Sequence, residues 1–530
     1  MTRPILARLA LGTALGLMTL PAFAKDFVYC SEGSPEGFDP ALYSTNSTWD
    51  ASSEAVYDAL TRFKAGTSEV EPALAESWEV SPDNLEYTFH LRQGVKFHTT
   101  ADFTPTREMN ADDVVFSFAR QMGQDPEWQD YTGAGSWVIF DAMEMGSIVK
   151  EVVKVDDHTV KFVLNEPNAS LPALVALNFG AILSKEYADK LMAEGRLQDL
   201  NLAPVGTGPF SLVAYQADAV IRYAANADWW DGKPAIDNLI FAITPEPAVR
   251  MTRLKAGECQ MASYPAPADV PGLKADPTLK VMEAPGLNVA YLAFNTQVAP
   301  WDNPELRKAL IMAIDRETLV DTVYEGLGGV AETLVPPTMW GHADQIEPYA
   351  YDPEAARKAL AELGAEDLSV KLWATPISRV YMPNGRRAAE MIQADLAAVG
   401  VEAEIVSYEW GEYLKRVREA DRDGIAMMGG SADVADPDNL LGFFLTCGSG
   451  GNASNWCNDE VDGLLRQARQ ISDQEERTAL YVKIQEIVHD EAPLLPLANA
   501  TVVLPMSAKV QNYAMNPLGA HRFDKVDLAE

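Results

Sequence analysis

The sequence predicts an α/β protein whose two stretches are organised differently. Three observations carry this reading. Up to about residue 285, short alternating runs come in pairs around turn residues, and few helices interrupt them, so this region reads as mixed α+β. From about residue 303, helix and strand signals alternate instead. Within that second stretch, residues 368–428 spell out a β-α-β-α-β series, the pattern of neighbouring parallel strands with right-handed crossovers.

The elements follow in chain order. "MTRPILARLALGTALGLMTLPAFA" (1–24) has basic Arg3 and Arg8, an apolar run from Leu9 to about Leu20, and small residues at Ala22 and Ala24. That is the layout of a cleaved secretory leader, and it is too short to span a bilayer. No cysteine lies at the cleavage site, so no lipid anchor is expected. The mature chain is expected to begin near Lys25 and to work, soluble, outside the cytoplasm. "SWEVSPDNLEYTFHLRQGVKFH" places alternating runs on either side of a Ser-Pro-Asp-Asn turn, and "VVKVDDHTVKFVL" does the same around Asp156-Asp157. Between them Asn110 can cap the helix "ADDVVFSFARQM", with Asp113 at the capping-box position. Later, Asn303-Pro304-Glu305 and Asp352-Pro353-Glu354 each supply a cap, a first-turn proline and an acid, and Gly364 closes the second helix. The β-α-β-α-β series runs through strand 368–375, helix 385–400, strand 401–408, helix 411–420 and strand 424–428.

Charge and cysteine usage narrow the function classes. The formal charge is −35, and loss of the two positive charges of Arg3 and Arg8 with the leader makes it −37. Such a field repels nucleic acid and anionic membranes at long range, so no nucleic-acid partner is expected. The four cysteines, Cys30, Cys259, Cys447 and Cys457, contain no CxxC pair, which argues against a zinc ribbon or a thioredoxin-type centre. In an oxidising compartment an even number suggests two disulfides, for which three connectivities exist. Cys447 and Cys457 are close enough for a small local loop, which would leave Cys30 to reach Cys259.

In parallel sheets, ligands bind beyond the carboxyl ends of the strands. After the first strand of the series come Arg379 and Tyr381, after the second Trp410, and after the third "MMGGSADVADPDN" with Asp433, Asp436 and Asp438. Three chemistries compete for that acidic stretch. A calcium loop starting at Asp436 fails, because its sixth and twelfth positions are Leu441 and Cys447. No metal or other cofactor is expected. Asp436 and Asp438 read better as a turn leading into a helix capped by Asp438 or Asn439. An enzyme would need more than acids. HExxH, G-x-S-x-G and Walker patterns are absent, and "GLGG" at 326–329 lacks the context of a dinucleotide loop. Paired carboxylates for a secreted hydrolase keep that class as the rival reading. A clamp fits the residue types: Arg379 offers a bidentate fork for a carboxylate, and Asp433 accepts from an ammonium. An extended dipeptide spans about 6–7 Å at about 3.3–3.6 Å per residue, so two such groups at a fixed separation would measure chain length.

"LAESWEVSPDNLEYTFHLRQGVKFH", "NADDVVFSFAR", "PVGTGPF" (204–210) and "PPTMWG" (336–341) resemble the family 5 extracytoplasmic solute-binding proteins. "VYCSEGSPEGFDPALY", "YEWGEYLKR" and "PLGAH" make the chain most similar to the periplasmic dipeptide-binding proteins of ABC importers, and the resemblance spans the mature chain. It implies a two-lobed type II periplasmic-binding fold with an extra subdomain and a two-stranded hinge near "PGLNVAYLAFN" and "LLPLANATVV". Residues 25–285 plus 500–530 would form lobe I, and 286–499 lobe II. Asp433 would hold the ligand's amino terminus and Arg379 its carboxylate. Trp410 would line a side-chain pocket with Tyr381 nearby, and the segment containing Thr45, Asn46 and Ser47 would offer backbone groups. The resemblance implies the pairs Cys30–Cys259 and Cys447–Cys457. It also implies a monomer that delivers dipeptides or short peptides unchanged to an inner-membrane ABC permease, with a chemoreceptor as a further partner.

Two positions depart from the family pattern. Gly430 stands where relatives carry a large aromatic three residues before the binding aspartate, and Val380 follows Arg379 where they have proline. Loss of an indole is expected to open a pocket, since aromatic burial is a large energetic term. Glutathione, haem or an opine-like amino acid derivative are therefore the alternative cargoes.

Overall fold

The computed structural model describes residues 24–529 apart from 134–136, 366–367, 377–378, 409 and 472. The expected leader, but for Ala24, lies outside the described residues. The fold is mixed α/β. Among the described residues twelve strands form one continuous sheet. Its spine runs Glu402–Val406, Ser369–Trp373, Ile425–Ser431, Asn288–Phe294, Leu494–Ser507, Met261–Ala262, Asp26–Ser31, Asn238–Ile243, Val220–Ala225 and Phe210–Gln216. Leu279–Pro285 and Gly328–Val330 also pair with Leu494–Ser507. A separate four-stranded antiparallel sheet holds Ala75–Val80, Glu86–Leu91, Thr159–Leu164 and Val149–Asp156; these are the two hairpins read from their turns.

The β-α-β-α-β series folds as expected. Ser369–Trp373 pairs in parallel with both Glu402–Val406 and Ile425–Ser431, and the helices Gly385–Ala398 and Trp410–Val417 make the crossovers. Both helices end before the expected residues, at Ala398 rather than 400 and at Val417 rather than 420. Asn110 caps Ala111–Ala119 with the reciprocal Asp113 contact in place, so two otherwise orphaned N–H groups are satisfied.

Asn288–Phe294 is buried at every position, as expected for a central strand covered on both faces. Its alternation sorts the two sides: Ala290, Leu292 and Phe294 enter one apolar cluster, and Val289, Tyr291 and Ala293 enter another. A third, larger cluster gathers residues from Phe27 to Met261 with Leu504 to Val526 of the returning tail. Disulfides join Cys30 to Cys259 and Cys447 to Cys457. The first bond ties two neighbours in the sheet, because Asp26–Ser31 pairs in parallel with Met261–Ala262. No helix among the described residues is long and apolar enough to cross a membrane.

Candidate ligand-binding site

The carboxyl ends of the three parallel strands lie on one edge, and the loops leaving the first and third build one wall of a cavity of about 270 Å³. Ser431, Ala432 and Asp433 enter it from the end of the third strand, and Val380 enters from the loop after the first. Gly286, Leu287, Asn288 and Val502, Val503, Leu504 form its floor, where the crossing strands pass. The opposite wall comes from Ser44, Asn46, Trp49, Ser263, Tyr264 and the tail residues Pro517, Leu518, Gly519 and His521.

Asp433 sits in a bend whose backbone N–H donates to Oδ1 of Asn439 at 2.8 Å. Its carboxylate has no ion-pair partner among the described residues. Burial without a counter-charge pushes its carboxyl up from 3.8 to about 6. Asp433 lines the cavity. A carboxylate held in that way is stabilised by any cation brought to it.

Arg379 lies in a tight backbone turn, in which its N–H donates to the Met382 carbonyl at 3.0 Å and its carbonyl accepts from Met382 at 3.1 Å. Its neighbour Val380 reaches the cavity. Tyr381 points back into the sheet: its carbonyl accepts from the Tyr324 hydroxyl at 2.5 Å. Burial raises the Tyr381 hydroxyl pKa and the positive charge of Arg379 opposes the shift. The Tyr381 ring lies over Gly429, so close that a Cβ there would meet Cδ2 of the ring at 2.5 Å. Tyr381 is therefore a packing residue of this loop and does not line the cavity. Trp410 opens the helix Trp410–Val417, and its side chain lies outside the described residues.

In the first stretch, Asn46 reaches the cavity and its Nδ2 donates to the Tyr264 hydroxyl at 3.3 Å. Thr45 turns aside, with its hydroxyl 2.9 Å from both Glu36 and Thr48, and the Ser47 hydroxyl meets Thr45 at 3.4 Å. Gly430 does not open a pocket. A Cβ there would lie 2.8 Å from Cζ of Phe444, whose ring packs edge-on against Tyr291 at 5.1 Å. Phe444, supplied by the following helix, occupies the space.

The other two carboxylates of the acidic stretch are structural, but the expected cap is corrected. Asp436, not Asp438 or Asn439, caps the helix Pro437–Leu445, accepting from the Asp438 N–H. Proline at the first helical position leaves the cap to the residue before it. Asp436 also pairs with Arg477 at 2.7 Å, and Asp438 with Arg469 at 2.9 Å. Trp49, Tyr264 and His521 escaped sequence reasoning. Burial lowers the His521 ring to about 4 and raises the Tyr264 hydroxyl. The "PLGAH" run was the available signal for His521, but nothing local in it points to a cavity.

The family model for bacterial extracellular solute-binding proteins, family 5 Middle, matches residues 69–452. The dipeptide-binding protein of Escherichia coli is 48% identical over 526 residues, 98% of this chain and 98% of that protein. Heme-binding protein A of Haemophilus influenzae is 43% identical over 500 residues, 94% of this chain and 91% of that one. Among solved structures, HbpA2 from Haemophilus parasuis superposes with a TM-score of 0.89 at 41% identity, covering 95% of this chain and all (100%) of that one. The dipeptide-binding protein of a Pseudoalteromonas species in complex with Met-Leu gives 0.83 at 36%, covering 95% and 100%. These neighbours have the type II periplasmic-binding fold that the sequence resemblance implied. With the matched model and full-length relatives in agreement, the chain belongs to family 5 of the bacterial extracellular solute-binding proteins.

Proposed function

We propose that this chain is the periplasmic substrate-binding component of an ABC importer, taking dipeptides or short peptides and handing them unchanged to an inner-membrane permease. The observation that carries the reading is Asp433: a carboxyl raised to about 6 by burial, lining a cavity and without an ion-pair partner among the described residues. A peptide ammonium supplies that charge. Arg379, one residue from the cavity-lining Val380, is the candidate partner for the peptide carboxylate. Asn46 completes the opposite wall, and Trp410 remains the candidate for a side-chain pocket.

The cargo is a small one on this reading. A cavity of about 270 Å³ lies just below the usual size of ligand sites, about 300–1,000 Å³, which favours a dipeptide over haem. Relatives named for dipeptides and for di- and tripeptides point the same way. The lobes would be 25–285 with 500–530, and 286–499, hinged where Asn288–Phe294 crosses Leu494–Ser507. The separate apolar clusters on either side of that crossing support the division. The protein would act as a monomer after removal of residues 1–24, without catalysis, and a chemoreceptor is a further candidate partner.

Calorimetry with a dipeptide panel tests the proposal on wild type, Asp433→Asn and Arg379→Met. Removing either partner of a buried charged contact is expected to weaken binding by on the order of 3–5 kcal/mol. N-acetylated and C-amidated peptides, each lacking one charged end, should bind poorly. Unchanged affinity in both variants removes the clamp. Turnover of the peptide during incubation would favour a hydrolase.

A further inference from the structure

The bend that presents Asp433 also grips the far side of the cleft. Val434, the next residue, is buried in the apolar cluster formed by residues 27–261 and the tail, apart from the clusters of its own sheet neighbours. Two residues on, Asp436 accepts from the hydroxyl of Ser170 at 2.9 Å while holding Arg477. Ser170 follows the strand Thr159–Leu164 of the four-stranded sheet, which among the described residues shares no backbone pairing with the twelve-stranded one. Nearby, the Ala169 N–H donates to the Arg469 carbonyl at 3.1 Å, and Asn439 Nδ2 lies 3.5 Å from Sδ of Met143. A cavity of about 80 Å³ lined by Asn168, Ser170, Asp436 and Arg469 runs along this seam. The seam is therefore held by a few polar contacts and one buried apolar side chain, Val434, and it is incompletely filled.

We propose that residues 433–439 are a closure clasp: Asp433 takes the cargo, while Val434 and Asp436 lock the same loop onto the Ser170 side of the cleft. The proposal rests on the cavity being the cargo site. Cargo binding and clasp closure then share one rigid segment, because the Asp433 N–H is fixed to Asn439 in the first turn of the helix that Asp436 caps. Contacts that never touch the cargo stabilise only the closed form, so they act on its release.

The test is stopped-flow and calorimetry with alanyl-phenylalanine on wild type, Ser170→Ala and Val434→Ala. Losing a hydrogen bond to a carboxylate predicts release about five- to tenfold faster in Ser170→Ala, with the association rate and the unfolding temperature of the free protein within error of wild type. An unchanged release rate, or an equal loss in the association rate, overturns the clasp while leaving the cargo assignment standing. If wild type binds no alanyl-phenylalanine, the cargo assignment fails. The clasp, which rests on that assignment, falls with it.

Discussion

The backbone N–H of Asp433 is held by the side chain of Asn439 at 2.8 Å, so this cavity-lining carboxylate is positioned by the first turn of the helix behind it. Asn439→Ala should loosen the bend and weaken dipeptide binding about fivefold, the ordinary worth of one hydrogen bond. Asn439→Asp retains an acceptor and should recover part of that loss. Calorimetry on the two variants checks this, and equal losses in both would contradict a positioning role.

Cargo affinity should fall on acidification. The free Asp433 carboxyl titrates near 6, and an ammonium needs the ionised form. Between pH 7 and pH 5 the dissociation constant should rise about tenfold, with proton release on binding near pH 6. The same group acts oppositely on folding. Its folded value lies above the unfolded 3.8, so its contribution to the stability of the free protein grows as pH falls from about 6 to about 4. Calorimetry in buffers of different ionisation enthalpy measures the proton, and Asp433→Asn should abolish its release.

Two buried histidines should dominate acid unfolding. His98 holds the Gly208 carbonyl at 2.9 Å, and His521 shares a 2.7 Å contact with Tyr513. Burial lowers both rings from 6.5 to about 4. The unfolded chain therefore binds more protons in that window, and stability drops as pH falls from about 6.5 to about 4, by on the order of 3 kcal/mol per histidine. Chemical denaturation at pH 7 and pH 4.5 should show a smaller difference for His98→Gln than for wild type.

Adjacent glycines should tolerate alanine differently. A Cβ at Gly429 would meet the Val289 carbonyl oxygen and the Tyr381 ring, each at 2.5 Å. A sheet carbonyl cannot move aside, so Gly429→Ala should cost about 1–3 kcal/mol. At Gly430 the obstacle is the Phe444 ring, which can rotate, and the loss should be smaller. Thermal unfolding of the two variants gives the order directly.

Much of the fold was legible because it is locally encoded. The Asn110 cap, the Ser-Pro-Asp-Asn hairpin and the alternation through 368–428 each depend on residues a few positions apart. The place of Asp433, just past the end of a strand, was legible for the same reason, since the end of a strand can be read without its partners. Trp49, Tyr264 and His521 were not. They reach the cavity through sheet pairing and a returning tail, and no short-range pattern reports contacts across hundreds of residues. Phe444 escaped likewise, because an empty-looking Gly430 gives no sign that a later helix fills the gap.

Leu494–Ser507 pairs with Asn288–Phe294, Leu279–Pro285 and Met261–Ala262. The amino-terminal part of the sheet is thus finished by a strand that begins only at Leu494. Until that segment arrives, strand Leu279–Pro285 carries an unpaired edge and the cluster around Phe27 lacks Phe523. Assembly in the order of synthesis, the usual course for long chains, must here wait for Leu494–Ser507, so a chain cut short before residue 494 should leave this part of the sheet unfinished.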